Sequence, residues 1–283
     1  MPLSYEEAVS ALLKDERYRQ LMFDSYLELD PVKAALRYMD SEEFAEVRHI
    51  LARENPNGVV LDIGAGNGIL SFALAKLGYQ VLALEPEDGA ITGRQAIRAI
   101  QNATGTKIEI LDGLGEAIPL KDATVDIVVA RQVLHHAKDL KKMCAEVYRV
   151  LKPRGLFLAL REHVLFKNGD LESFLSKHPI HRLTGEENAY MLRFYKESIK
   201  AAGFSKLKVY AFWDSALNYA PIRALEVDAF FAKKLSKRIP FLTTRFFENY
   251  VLKIPGLSCL LRRLLNILHK IPGSLYTFEA TKP

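Results

Sequence analysis

The segment Val59–Gly68, VVLDIGAGNG, restricts the fold more than any other stretch of the chain. Apolar Val59, Val60, Leu61 and Ile63 read as a buried strand, and glycines follow at Gly64, Gly66 and Gly68. A backbone without Cβ atoms at every second position turns sharply and lets a ligand come close. The helix that follows offers unpaired N–H groups at its first turn.

Strands and helices alternate from there. GVVLDI, YQVLALE, KIEIL, VDIVVA and GLFLALR read as short apolar strands, separated by GILSFALAKLG, GAITGRQAIRAIQNATG and LKKMCAEVYRVLKP as helices. Strands that are apolar on both faces and joined through helices imply a parallel sheet with helices on each side. After a polar insertion, YMLRFYKESIKAAGF reads as a helix, and KLKVYAFW and SLYTFEATKP as two final strands paired antiparallel. The fold expected is α/β: a doubly wound, mostly parallel seven-stranded sheet with N-terminal helices and helical insertions. The expected division is an N-terminal helical cap at 1–54 and a core at 55–213 plus 273–283, with a polar insertion at 164–190. A basic amphipathic helical insertion is expected at 214–272.

Open sheets of this kind bind ligands beyond the carboxyl ends of their strands. A dinucleotide site needs G-x-G-x-x-G. Counted from Gly64 the sixth position is Ile69, and from Gly66 it is Ser71, so both readings fail. The pattern present is Asp62-x-Gly64-x-Gly66-x-Gly68, with Glu85 closing the second strand, where a carboxylate can accept both hydroxyls of a ribose. A nicotinamide oxidoreductase is therefore the weaker enzyme reading. A non-catalytic membrane- or partner-binding protein that keeps the fold is the rival outside enzymes.

VVLDIGAGNG, LALEPE, GEAIPLKDATVDIVVARQVLHH and EVYRVLKPRG together resemble the class I S-adenosylmethionine-dependent methyltransferases, in particular their small-molecule branch of quinone and sterol methyltransferases. The resemblance spans roughly residues 40–163 and implies a Rossmann-like methyltransferase fold with S-adenosylmethionine as cofactor. It implies that Gly64, Gly66, Gly68 and Glu85 hold the cofactor, that Asp62 places the turn or meets the methionine amine, and that Arg131 lies at the same site. The family often has an aspartate just before the position of Gly115; Leu114 stands there, so adenine is expected on the backbone of Leu114 and Gly115, or within reach of Asp112.

Five of the seven histidines fall between 135 and 181, which places them after strands four and five, where the acceptor should lie. ARQVLHH supplies Arg131, His135 and His136; REHV supplies Arg161, Glu162 and His163; HPIHRLTGEENAY adds His178, His181, Glu186 and Asn188. Imidazole titrates near neutrality and can take a proton from a hydroxyl acceptor. His163, His136 and Glu162 are the expected catalytic groups. His163, His178, His181 and Glu186 have no i, i+4 pair and no cysteine among them, so no metal site is expected.

The acceptor expected is small or lipid-like, methylated at oxygen in preference to carbon. Nucleic acid is not expected as a partner, because the run of Asp or Asn, two prolines and an aromatic that accompanies nucleobase methylation is missing after strand four. Net charge is +5, but residues 215–273 hold ten Lys/Arg against three Asp/Glu, a surplus of seven that leaves the remainder at −2. In Leu257–Ile271 leucines and isoleucines recur at spacings of three and four, which suits a core helix or a surface that grips anionic lipid, with Arg262, Arg263 and Lys270 on its other sides. No apolar run is long enough to span a bilayer, the N-terminus shows no basic-then-apolar export pattern, and the cysteines are Cys144 and Cys259 alone. Those features together suit a cytoplasmic protein, with peripheral contact at the inner membrane surface as an option.

Overall fold

The computed structural model describes residues 2–54, 57–238 and 256–283. Four helices come first: α1 (Tyr5–Lys14), α2 (Arg19–Asp24), α3 (Pro31–Met39) and α4 (Glu42–Leu51). Their starts are written in the local sequence. Ser4 and Glu7 exchange side chain and backbone in a capping box, Asp30 caps α3 ahead of Pro31, and Ser41 caps α4. Each arrangement satisfies N–H groups that a helix start leaves without partners.

Then come β1 (Val59–Ile63), α5 (Ile69–Lys76), β2 (Gln80–Leu84), α6 (Arg94–Thr104), β3 (Glu109–Leu111), β4 (Val125–Arg131), α7 (Leu140–Val150) and β5 (Leu151–Leu165). The insertion carries α8 (Asp170–Leu175), α9 (His181–Thr184) and β6 (Tyr190–Met191). The chain continues through α10 (Leu192–Ala201), β7 (Ser205–Tyr210), α11 (Ala216–Tyr219), α12 (Ala224–Arg238), α13 (Leu257–Leu268) and β8 (Ser274–Thr281). The sheet runs β3-β2-β1-β4-β5-β8-β7, parallel through β5 and antiparallel at β8 and β7. β6 adds a two-residue strand parallel to the far end of β5, so among the described residues the sheet has eight strands where seven were expected.

Neighbouring strand residues divide between two cores. Val60, Ile127 and Leu158 pack on one face with Phe44, Leu70 and Phe72; Leu61, Val128 and Phe157 pack on the other with Val147, Tyr195 and Phe278. A period of two with both faces buried explains why these strands read as unbroken apolar runs.

Three departures from the sequence reading matter for the site. α6 begins at Arg94 rather than near Gly89, because Glu6 of α1 holds the preceding loop. Its carboxylate accepts from the backbone N–H groups of Ala90, Ile91 and Thr92 and from the Thr92 hydroxyl. β5 is far longer than GLFLALR and bulges against β8 between Ala159 and Glu162, with Arg161 in the left-handed region at φ 59°. α13 meets the protein through Leu265, which packs on Ala216, Tyr219, Val227 and Phe231, and through polar groups: Arg262 pairs with Asp228 at 2.8 Å, and Asn266 binds Trp213 and Asp214. Arg262 thus faces inward, whereas Leu260, Leu264, Ile267, Leu268 and Ile271 are exposed. The part of the basic segment between 239 and 255 lies outside the described residues.

Candidate active site

A cavity of about 610 Å³ opens beyond the carboxyl ends of β1, β2, β4 and β5. α1 and α2 wall it through Tyr5, Leu21 and Met22, the connection after α2 adds Leu27, and the insertion reaches it through His178, Ile180 and Glu187. The size lies within the range of about 300–1,000 Å³ that encloses a small organic ligand.

The three glycines of the turn have different tasks. Gly64, Gly66 and Gly68 have φ of 61°, 56° and 81°, which an L side chain adopts only under strain. A Cβ on Gly64 would stand 2.6 Å from a Val133 methyl, and one on Gly68 would stand 2.9 Å from Ile97. These two permit packing. At Gly66 the nearest atom is the Gly64 carbonyl at 3.9 Å, so what a side chain there would fill is the cavity.

Glu85 is 6% exposed and still lines that cavity. Its oxygens accept from Gly66 N–H at 2.7 Å and Glu87 N–H at 3.0 Å, leaving lone pairs for a ligand's hydroxyls. Burial raises its carboxyl above the ordinary glutamate range. Asp62 sits deeper. It accepts from the Ser71 hydroxyl at 2.6 Å, which ties β1 to α5, and burial pushes it up to about 7. Leu114 and Gly115 line the opposite wall beside Met143. Asp112 does not line the cavity; it pairs with Arg94 at 2.8 Å.

Arg131 lines the cavity, but its Nε and Nη2 are spent on Glu43 of α4 at 2.6 and 3.1 Å, and its Nη1 on Gln132. Arg161 shares the same buried Glu43 at 3.3 Å and donates to the carbonyls of Leu217 and Ala220. The two arginines and Glu43 brace the N-terminal helices against β4 and β5. Sequence reading missed Glu43 because it lies far from its partners along the chain.

On the acceptor side Glu162 departs from its expected catalytic place. It is fully buried and does not line the cavity. Its carboxylate accepts backbone N–H from Val133, Leu134 and His135 at 3.1 Å each, which fixes the short 3₁₀ turn Leu134–His136. Burial pushes it up to about 7 against those three bonds. It also meets His135 Nδ1 at 2.7 Å. Burial favours the neutral His135 ring; opposite ionised Glu162, which only accepts, its Nδ1 is the donor and its Nε2 presents a lone pair.

His163 does line the cavity, and its Nδ1 donates to the Gly273 carbonyl at 2.8 Å. A carbonyl only accepts, so that bond assigns the proton to Nδ1 and frees Nε2 as a base. Burial lowers the ring's affinity for a second proton. His135 and His178 flank it, with ring centroids 4.9 and 5.6 Å away.

From the insertion, His178 reaches the cavity whereas His181, Glu186 and Asn188 do not. The carboxylate that arrives is Glu187, one residue past the expected one. It is 7% exposed, its Oε2 has no hydrogen-bond partner among the described residues, and burial alone pushes it up to about 7. Its Oε2 stands 3.9 Å from Nε2 of both His135 and His136.

The lining as a whole is acidic. Asp24, Asp62, Glu85, Glu87, Glu116 and Glu187 face two arginines already engaged by Glu43, and among the described residues the lining contains no lysine. Such a wall favours a cationic ligand and opposes the diphosphate of a dinucleotide. A sulfonium that also carries an amine, a ribose and an adenine fits it. Asp62 and Glu85 supply carboxylates, Gly66 an unobstructed backbone, and Leu114, Gly115 and Met143 an apolar slot.

Comparison with known proteins agrees with this geometry. Residues 61–159 match the family model described as a methyltransferase domain. The chain is 30% identical over 145 residues to a probable S-adenosylmethionine-dependent methyltransferase of Mycolicibacterium smegmatis, covering 51% of each chain. It is 28% identical over 167 residues to a ubiquinone/menaquinone biosynthesis C-methyltransferase of Brucella anthropi, covering 55% of this chain and 62% of that one. The chain spans about half the length of the curated relatives it matches. Among solved structures it resembles a putative sarcosine dimethylglycine methyltransferase from Galdieria sulphuraria, with a TM-score of 0.56 at 20% identity, over 99% of this chain and 98% of that one.

Proposed function

We propose, for a chain whose residues 61–159 are a domain of the class I S-adenosylmethionine-dependent methyltransferase family, that it methylates a small or lipid-like acceptor, at oxygen in preference to carbon. The observation that carries this reading is the pairing of a bare glycine turn and Glu85 with an acidic cavity free of lysine. S-adenosylmethionine, when bound, supplies a methyl group on an activated sulfur leaving group. The protein then has to align the acceptor, exclude water and remove a proton where the acceptor is a hydroxyl. Glu85 and the Gly66 backbone hold the ribose end, and Leu114 and Gly115 the adenine. The N-terminal helices close the cavity over both, and His163 Nε2 takes the hydroxyl proton. Preference for oxygen rests on that free, neutral imidazole; a lipid-like acceptor is supported by the likeness to a quinone methyltransferase.

Two measurements test the proposal. Calorimetric titration should show binding of S-adenosylmethionine and S-adenosylhomocysteine but none of NADH. Mass spectrometry of small-molecule and lipid extracts, after incubation with methyl-labelled cofactor, should reveal a labelled product. Binding of NADH alone would favour the oxidoreductase reading, and cofactor binding without any product would favour the non-catalytic one.

The exposed apolar side of α13 supports peripheral contact with an anionic membrane. Five leucine and isoleucine side chains face outward on a segment carrying a surplus of seven positive charges, and basic residues near such a surface contribute about 1 kcal/mol each. Co-sedimentation with anionic vesicles should be salt-sensitive and should fall in Leu264→Glu/Leu268→Glu. Substituting Arg262 would break its bond to Asp228 and give no clean answer.

A further inference from the structure

We propose that His135, His136 and Glu187 form a binding site for one divalent first-row transition ion on the acceptor side of the cavity. Each offers one donor atom, and the three donors lie within 4.8 Å of one another. All three residues line the cavity, so the remaining coordination positions of an ion there open toward the acceptor.

Two features distinguish this group from a chance cluster. The first is the unpartnered Glu187 Oε2: a carboxylate nine-tenths buried without a hydrogen bond is costly, and it faces the two imidazoles. The second is the support behind His135. The Glu162 carboxylate accepts a hydrogen bond from its Nδ1–H at 2.7 Å, which orients Nε2 and makes it a better donor, the arrangement in which a carboxylate backs a metal-binding histidine. Glu162 is held in turn by three backbone N–H groups of the same turn. His135 is therefore set as a donor before any ion arrives.

The donor set selects the ion. Two imidazoles and one carboxylate suit zinc, cobalt, iron or manganese, whereas magnesium and calcium prefer oxygen donors alone. Ligands about 2.1 Å from a tetrahedral ion stand about 3.4 Å apart. The 3.9 Å from Glu187 to each imidazole needs closing by about half an ångström, and the two imidazole donors, which lie within 4.8 Å of each other, must also turn toward the ion by side-chain rotation. The site carries one negative charge, so a divalent ion leaves it at +1 and removes the desolvation penalty of Glu187. An ion there would polarise an acceptor oxygen placed in its open position. That consequence rests on the methyltransferase reading; the binding itself does not.

The test is titration of the metal-free full-length chain with Co²⁺, followed by visible absorption, with S-adenosylhomocysteine affinity measured in parallel. One equivalent should bind with the bands of a low-coordinate ion, and Zn²⁺ but not Mg²⁺ should displace it. Glu187→Gln and His136→Ala should each weaken binding at least tenfold while keeping the affinity for S-adenosylhomocysteine. Absence of binding at micromolar Co²⁺, displacement by Mg²⁺, or wild-type affinity in both variants overturns the site. If Co²⁺ binds as expected but S-adenosylhomocysteine does not bind the unaltered chain, the metal site stands and the methyltransferase reading falls.

Discussion

The cavity has two halves built in opposite ways. The half proposed for the cofactor draws on residues 62–67, 85–87 and 113–115, and rests on bare main chain at Gly66, whose N–H fixes the Glu85 carboxylate. The acceptor half is made of side chains from places far apart in sequence: Tyr5 and Met22, His135 and His136, His163, and His178 and Glu187. Main chain at a strand end is set by the sheet and varies little. Side chains gathered from four segments can be exchanged one at a time. On the proposed reading the first half therefore announces a family, and the second would carry the choice of acceptor.

Substitutions should separate the halves, and the largest effect should come from the cofactor side. Gly66→Val puts a side chain into the cavity without touching protein; cofactor binding should vanish by calorimetry, while backbone strain costs about 1–2 kcal/mol of stability. Retained binding would break the division proposed here. His163→Ala should lower kcat by about 100-fold or more, as loss of a general base does, with cofactor affinity unchanged. A fall in affinity instead would mean the halves are not separable. Glu85→Ala should weaken cofactor binding by about 1.5–3 kcal/mol, the range for hydrogen bonds to a charged group, and should raise KM for cofactor rather than for acceptor.

The smallest effect belongs to Glu187 and concerns pH. Its carboxyl releases its proton near 7 when folded, against the ordinary 4.5 when unfolded. The metal-free protein therefore loses stability as pH rises from about 4.5 through 7, where the unfolded chain is charged at no cost. Glu187→Gln should raise Tm by the equivalent of about 1–2 kcal/mol at pH 8 and by much less at pH 5. Thermal melts in chelator would check it; an equal shift at both values would show that charge burial is not the cause.

How much was legible in the sequence follows from the same contrast. Asp62, Gly64, Gly66 and Glu85 line the cavity as their spacing suggested, since a turn's conformation is dictated by residues next to one another, whereas Gly68 packs behind the turn against Ile97. His163 and His136 also reach it, because the ends of β4 and β5 must converge in this sheet. Glu162 was misread. Its position beside His163 says nothing about the three N–H groups that claim it from another strand's loop. Glu186 was expected and Glu187 arrived, because an insertion without regular periodicity leaves no phase to count from. Glu6 and Glu43 carried no signal at all: their partners lie 84 and 88 residues away. For α13 the spacing left two readings open, a core helix or an outward apolar surface, and spacing alone could not say that Arg262, Leu265 and Asn266 are the inward anchors while Leu260, Leu264 and Leu268 stay exposed.

The bulge in β5 bears on how relatives of this chain should be aligned. Three steps along β5, from Ala159 to Glu162, match two along β8, from Phe278 to Tyr276. Consecutive residues of a strand point to opposite sides, so that one additional residue sets the phase for Glu162 and His163. A relative lacking it would keep Arg, Glu and His in the same order, and an alignment would score all three as retained. Its glutamate would nevertheless have moved to the opposite side from the turn it holds here, and its histidine would have left the cavity. For this strand a gap of one position carries more information about acceptor chemistry than the identity of the letters on either side.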